Sequence, residues 1–360
     1  MSAAETTPRA AGFGMPAEWA RHEATWLAWP HNPEDWPGKL QPIPWVYAEI
    51  VRLLSQYETV HILVQDAREQ SRAASVLRRG GAVMDRVRFR QWPTNRIWMR
   101  DAGPIFVRDA AGKVALTDWH FNAWAKYDDW QLDDQIPGRV KQLLGVPAWQ
   151  PAALLENGVQ HRVVLEGGSI DVNGAGAMLT TEECLLSQVQ QRNPGLGREQ
   201  LERVFADYLG IDQVLWLDCG IAGDDTHGHV DDTARFVNED TIVLAVESNP
   251  SDANHAPMAE NLRRLKAART LAGKPYNVVE LPLPRPVVFN GQRLPASYAN
   301  FYIANGLVLV PTFNDPHDRV ALNILSELFP TREVVGIHAV DLVWGLGTLH
   351  CMTQQQPAEA

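Results

Sequence analysis

Four short polar segments recur along this chain at intervals of about 65–70 residues: Arg100-Asp101, Glu166-Gly167-Gly168, His229-Val230-Asp231 and Tyr298-Ala299-Asn300. Each stands at the end of an apolar run and is followed by residues with hairpin character and, in most cases, by a stretch of helical periodicity. Cys351 follows at a shorter interval. Ordinary helix–strand alternation also recurs, and no strong residue identity links the segments. The polar strand ends favour modules set around an axis, each delivering one polar group to a shared centre, over two domains meeting at a cleft.

Apolar residues at i, i+3, i+4 spacing predict helices over 44–57, 68–79, 135–144, 198–209, 256–271 and 319–329. Gly210 and Gly273 supply stop signals for two of them. Strand-like runs lie between, over 59–64, 87–91, 163–165, 178–181, 214–217, 241–246, 278–281, 307–311 and 334–337. Asn173-Gly174 reads as a hairpin turn. The proline-rich stretch 282–295 reads as an extended surface loop with a possible lid role, and no linker divides the chain. The expectation is an α/β protein with a single domain over 13–357 and a frayed tail over 1–12.

Composition narrows the partners. A formal net charge of −11 argues against nucleic acid and anionic membranes and suits a small cationic ligand. No apolar run approaches the roughly 20 residues of a membrane helix. The opening residues lack the apolar core of a secretory signal. The three cysteines, Cys184, Cys219 and Cys351, form no C-x-x-C pair, so neither a disulfide framework nor a cysteine-rich zinc site is expected. These features describe a reduced, cytoplasmic protein.

Two runs carry chemistry. Cys351 lies between Gly345-Leu346-Gly347 and Thr353, where glycines permit close backbone approach; Cys184 reads as packing and Cys219 as a weaker nucleophile. The run 224–232 holds His227, His229 and four aspartates. If extended, it would point His229 and Asp231 to one face. One reading makes His227, His229 and Asp231, with His317 or His350, a zinc or manganese site, although no established zinc spacing occurs. The other joins these acids to Asp101 and Glu166, as carboxylates able to take paired N–H bonds from a planar cation, beside a thiol and an acid/base histidine. Trp98, before Arg100-Asp101, is the tryptophan best placed to line a pocket.

Taken together, several segments resemble the agmatine deiminase, or bacterial-type peptidylarginine deiminase, family of the guanidino-modifying (pentein) superfamily. They are Met15-Pro16-Ala17-Glu18, 98–104 from Trp98 to Pro104, Phe121-Asn122-Ala123-Trp124, Leu165-Glu166-Gly167-Gly168-Ser169, Gly228-His229-Val230-Asp231, Pro311-Thr312-Phe313-Asn314-Asp315 and 350–355 from His350 to Gln355. The resemblance implies a five-bladed, pseudo-symmetric α/β propeller, the pentein fold. It implies hydrolysis of a small guanidine, first agmatine, to a ureido product and ammonia, with no cofactor and no metal.

By the same resemblance Cys351 is the nucleophile and His229 the acid/base. Asp101 and Asp231 bind the guanidinium, and Glu166 orients His229 or the substrate. Trp98, Asp225, Phe313 and Asn314 complete the substrate pocket, and a homodimer is the expected assembly. Departures at Thr226-His227-Gly228, 345–349 and 125–129 fall where the pocket's far end would lie. Free arginine, peptidyl arginine and other alkylguanidines are therefore alternative substrates. A metal-dependent amidohydrolase and a non-catalytic guanidine- or polyamine-binding protein are the alternatives of other classes.

Overall fold

One local design, an antiparallel strand pair followed by a helix and then a parallel strand, repeats through the computed structural model, which describes residues 6–156 and 158–359. Among the described residues, five sheets of three or four strands carry it. In the first, Gln354–Pro357 pairs antiparallel with His22–Ala28, and Thr59–Val64 then joins in parallel after the helix Ile43–Leu54. In the second, Ile105–Asp109 and Val114–Thr117 are followed by the helix Ile136–Leu144 and the strand Ala148–Trp149. The third holds Asp171–Val172, Ala177–Thr181 and Gln213–Leu217, and the fourth Ala234–Phe236, Thr241–Val246 and Asn277–Pro282. The fifth holds Tyr302–Ala304, Leu307–Thr312 and Glu333–His338.

Local chemistry explains these elements. The middle strands, such as Leu307–Thr312, are continuous apolar runs because nearly every residue is covered, as expected when helices pack on parallel pairs. Asp66 caps the helix Ala67–Arg79 by accepting from the Glu69 amide, and Asp315 caps Pro316–Leu328. Gly210 ends Arg198–Leu209 at φ +73°, a conformation that favours glycine. The expected helix over 256–271 is His255–Ala267, because Arg269 and Pro275 bridge across a turn that takes up the next residues. Residues 163–165 form an isolated bridge, His120 with Val164, in place of the expected strand, and Val163 N donates to the Pro151 carbonyl. Residues 282–295 contain a small hairpin, Val288–Phe289 with Gln292–Arg293, whose Phe289 ring lies 4.6 Å from Trp344.

Two segments depart further from expectation. The frayed tail expected over 1–12 is corrected for residues 6–12, while residues 1–5 lie outside the described residues. Arg9 donates its backbone N–H to Asp207 and its guanidinium to Asp212, and Trp149 Nε1 reaches the Thr6 carbonyl at 2.7 Å. The strand Gln354–Pro357 has no apolar periodicity, yet it is buried. Its amides bond inside: Trp26 Nε1 donates to Gln356 Oε1 at 3.0 Å and Arg100 to Gln355 Oε1 at 2.7 Å, while Gln354 Oε1 has no partner among the described residues. This pairing ties the two ends of the chain into one sheet.

Just before the leading strand of each sheet's antiparallel pair, the chain makes a tight turn: 99–102, 167–169, 230–232, 297–300 and 348–352. The turns touch in order. Gly168 N donates to Asp101 Oδ1 at 3.1 Å, and the second turn packs on the third. Ser297 Oγ donates to the Asp232 carbonyl at 2.6 Å, His350 N to the Asn300 carbonyl at 3.2 Å, and Arg100 N to the Cys351 carbonyl at 3.1 Å. The polar strand ends of the sequence therefore meet in a closed ring. Among the described residues, no helix is long and apolar enough to cross a membrane.

Candidate active site

A cavity of about 60 Å³ meets the ring at two of its turns, where it reaches Asp101 and Cys351. Cys351 Sγ accepts from Asn300 Nδ2 at 3.0 Å and lies 3.6 Å from Asp231 Oδ2. Asn300 is itself fixed, because its Oδ1 accepts from Thr348 Oγ1 at 2.6 Å and from His350 N at 3.0 Å. His350 stands behind Asp231, with Nδ1 2.7 Å from Asp231 Oδ2 and Nε2 2.7 Å from Glu18 Oε2. Asp231 Oδ1 has no protein partner.

Across the site, Asp101 Oδ2 accepts from Trp124 Nε1 at 2.9 Å. That indole is placed by a left-handed run, Ala123, Trp124 and Ala125 at φ +50°, +59° and +52°. Such backbone costs roughly 1–3 kcal/mol per residue. It is held by the Asn122 side chain, which accepts from Ala125 N, and by Gln190, which donates to the Trp124 carbonyl. His229 lies between two acids, with Nδ1 3.8 Å from Asp101 Oδ1 and Nε2 3.6 Å from Glu166 Oε2. These are ion-pair distances too long for hydrogen bonds. Both ring nitrogens lack a hydrogen-bond partner. Asp224 Oδ2 anchors the backbone beneath the ring by accepting from the N–H groups of Gly228 and His229. Arg192 Nε donates to Glu166 Oε1 at 3.0 Å.

Gly168 marks the point of convergence. A Cβ there would lie 2.6 Å from His229 Nδ1, 2.8 Å from Asp101 Oδ1 and 3.1 Å from Asp231 Oδ2. Only a residue without a side chain lets these three groups come together. Gly347 plays a similar part beside Cys351, since its Cβ would meet the Trp98 ring at 2.7 Å.

The charges follow from burial and pairing. Burial is the largest influence on Asp101; with the Asp231 and Glu166 charges it outweighs His229 and the Trp124 bond, lifting the carboxyl to about 7. Burial opposes the charge on Glu166 too, but Arg192 and His229 hold it down at about 2. Burial would lower His229, yet Asp101, Cys184 and Glu166 raise it well above the ordinary histidine range. Asp231 is kept low, against burial, by His350 first and then by His229 and Arg235. Burial and the charges of Asp231, Asp232 and Asp101 push the Cys351 thiol far up. The empty site thus holds an imidazolium, a neutral thiol and ionised carboxylates at Asp231 and Glu166. A planar cation placed between Asp101 and Asp231 would favour the thiolate.

The structure brings together Cys351, His229, Asp101, Asp231 and Glu166. Trp98 lines the cavity and Asp225 lies at its mouth, where it accepts from Lys126 Nζ and from Tyr127 Oη at 2.7 Å. Phe313 and Asn314 are not brought there, which corrects their expected place in the substrate pocket. Phe313 is buried against Tyr298, and exposed Asn314, at φ +56°, turns the chain into the helix capped by Asp315. Residues 230–232 form a tight helical turn, entered from His229, in place of the expected extended strand, and His229 and Asp231 meet beside Gly168. His227 faces Ser187 and Glu183, outside a shared site with His229 and Asp231. Cys219 bonds to Asp218 and its thiol is pushed up to about 12, mainly by burial. Two groups have ligand atoms within 4.8 Å of one another, Glu166–Cys184–His229 and Asp231–Asp232–Cys351.

Sequence reasoning gave no site role to Glu18, Trp124, Arg192 or Asn300, and offered His350 only as a metal ligand. Glu18, Trp124, Asn300 and His350 lie in segments already singled out; Arg192 carried no signal.

Two outcomes follow from this geometry. Gly168→Ala should lower kcat/KM by about 10²-fold, because a misplacement near 1 Å has that effect on an oriented site. Circular dichroism and steady-state kinetics would check it. A cation must also displace the proton held by Asp101 below about pH 7. Its apparent affinity should therefore fall as pH drops below about 7, approaching tenfold per unit, and this dependence should vanish in Asp101→Asn, as calorimetry from pH 5.5 to about 8.5 would show.

Comparison with known proteins gives the same picture. Residues 14–357 match the Porphyromonas-type peptidyl-arginine deiminase family. An agmatine deiminase of Ectopseudomonas mendocina is 35% identical, with 99% of each chain covered. The solved agmatine deiminase of Enterococcus faecalis superposes with a TM-score of 0.89 at 30% identity, covering 99% of each chain. A putative arginine deiminase structure from Porphyromonas gingivalis is 36% identical at a TM-score of 0.85, covering 96% of this chain and 98% of its own. The chain belongs to the Porphyromonas-type peptidyl-arginine deiminase family.

Proposed function

We propose that the protein hydrolyses agmatine to N-carbamoylputrescine and ammonia through a covalent intermediate on Cys351. The observation that carries this reading is the site geometry, where a thiol 3.6 Å from Asp231 Oδ2 faces a cavity also lined by Asp101. The agmatine deiminases among its full-length relatives support the choice of substrate. So does the mouth. Glu34, Asp35 and Asp225 line it, and its cations are already paired: Arg96 with Asp35 and Asp129, Lys126 with Asp225. An ammonium end suits that surface better than a carboxylate.

In this reading Asp101 and Asp231 take the paired N–H groups of the guanidinium and set its central carbon before the sulfur. The cation's charge offsets the carboxylates that hold the thiol neutral, the thiol proton leaves to solvent, and Asn300 Nδ2 supports the sulfur as the thiolate forms. Sulfur attack forms the C–S bond and a tetrahedral centre. The His229 imidazolium gives its proton to one nitrogen, the C–N bond breaks, and ammonia leaves an amidino-thioether on Cys351. Neutral His229 then takes a proton from water, whose oxygen attacks the same carbon. Collapse breaks the C–S bond, forms the ureido carbonyl and passes the hydroxyl proton to sulfur, restoring the neutral thiol. Glu166, held by Arg192, keeps His229 charged and oriented.

The same reading extends to the fold. Five repeated sheets and a hydrogen-bonded ring of five turns support a five-bladed α/β propeller formed by one domain over 13–357. An ammonia-release assay over agmatine, free arginine, an arginine peptide and other alkylguanidines tests the function. Agmatine is expected to give the highest kcat/KM, and Cys351→Ala should lower it at least about 10³-fold. Preference for arginine would overturn the substrate; undiminished turnover by Cys351→Ala would overturn the chemistry.

A further inference from the structure

His350 is a buried titratable group that the reaction above does not use. Its ring lies between two carboxylates, with Nδ1 2.7 Å from Asp231 Oδ2 and Nε2 2.7 Å from Glu18 Oε2. A neutral imidazole has one N–H, so both contacts are satisfied together only when both nitrogens carry protons. Glu18 is fixed independently, because its Oε2 accepts from Arg235 at 2.8 Å and its Oε1 from Ile303 N at 2.7 Å. The backbone of His350 is fixed as well, its N–H on Asn300 Oδ1 and its carbonyl on Arg100 Nε.

The consequence falls on Asp231. His350 engages Oδ2, the oxygen 3.6 Å from the Cys351 sulfur, and Oδ1 is left without a protein partner. Asp101 is different, since its oxygens take only neutral donors, Trp124 Nε1 and Gly168 N. The site therefore pairs one carboxylate held by an imidazole that spans two acids with one held by an indole and a backbone amide. Asp101, His229, Asp232, Arg235 and Cys351 also act on Asp231, while Arg100 lies 3.7 Å from Glu18.

We propose that Glu18 and His350 form a charge relay that keeps Asp231 ionised and aims its free oxygen at the substrate guanidinium, His350 acting as a positioning residue through Asp231. The proposal rests on the guanidine reading of the same site. His350→Asn leaves an amide N–H near the Nδ1 position but removes the charge and the link to Glu18; Glu18→Gln weakens the relay one step further out. Both should raise the KM for agmatine, the first by about tenfold, with a smaller change in kcat. The acid limb of kcat/KM has two steps, Asp101 at about 7 and Asp231 below it, and both variants should move the lower step toward higher pH, by roughly one unit in His350→Asn, as Asp231 becomes easier to protonate. The double variant should shift little beyond His350→Asn, since the two residues act in series.

A folded His350→Asn protein with unchanged KM and an unmoved acid limb would overturn the relay. So would a uniform loss of kcat with the limb in place, the signature of a merely structural role. Nitrogen NMR of the His350 ring in the unaltered protein needs neither a variant nor a substrate. Two protonated ring nitrogens at pH 7 support the relay and a neutral ring overturns it. Absent ammonia release from agmatine, by contrast, would count against the substrate reading and leave the ring measurement standing.

Discussion

The gathering of buried carboxylates at one point is the constraint from which the rest of this structure follows. Glu18, Asp101, Glu166, Asp231 and Asp232 are all almost fully buried near the centre of the ring. Removing such groups from water is costly unless each is paired or gives up its charge. Arg192 answers Glu166, and Arg235 answers both Glu18 and Asp171 while donating to the carbonyls of Ala299 and Phe301. These arginines join the turns of different sheets through the charges they neutralise. Where no cation is supplied, the carboxyl responds by holding a proton, as Asp101 does up to about 7 and Asp232 well above its ordinary range. A cationic substrate completes an arrangement that the protein alone leaves short of positive charge.

That shortage also explains the state of the nucleophile. Cysteines activated by a neighbouring cation carry a depressed pKa, whereas this thiol is raised by burial and three acids. In the proposed reaction, activation depends on the cation to be attacked, which couples reactivity and recognition in one event. A thiol that stays neutral in the empty site is also protected from adventitious oxidation.

Much of the site was legible because chemistry-bearing residues stood at equivalent positions in a repeat. Asp101, Glu166, His229, Asp231 and Cys351 follow from strand-end position and residue type, and helix periods placed most of the outer layer. Features that depend on satisfied polar groups were not legible. Gln354–Pro357 has no apolar alternation, because its amides bond inside to Trp26, Arg100 and the Pro104 carbonyl. Its partner strand His22–Ala28 escaped notice with it. Asn314 and Phe313 carry a motif whose job is to begin a helix, which sequence likeness cannot distinguish from binding. The helical turn at 230–232 defeated the strand reading, yet both side chains still meet beside Gly168 because the ring of turns, not a strand face, aims them. Arg192 could not be found from sequence, since a buried arginine reads as a surface one until its partner Glu166 is placed.

The central claim is that Cys351 attacks the guanidine carbon. Rapid acid quench of the enzyme during agmatine turnover, followed by peptide mass spectrometry, tests it most directly. The account predicts an adduct on the peptide containing Cys351 with the mass of agmatine less ammonia, absent from Cys351→Ala. Turnover with no adduct on Cys351 at any quench time, or an adduct on Cys184 or Cys219 in its place, would contradict it.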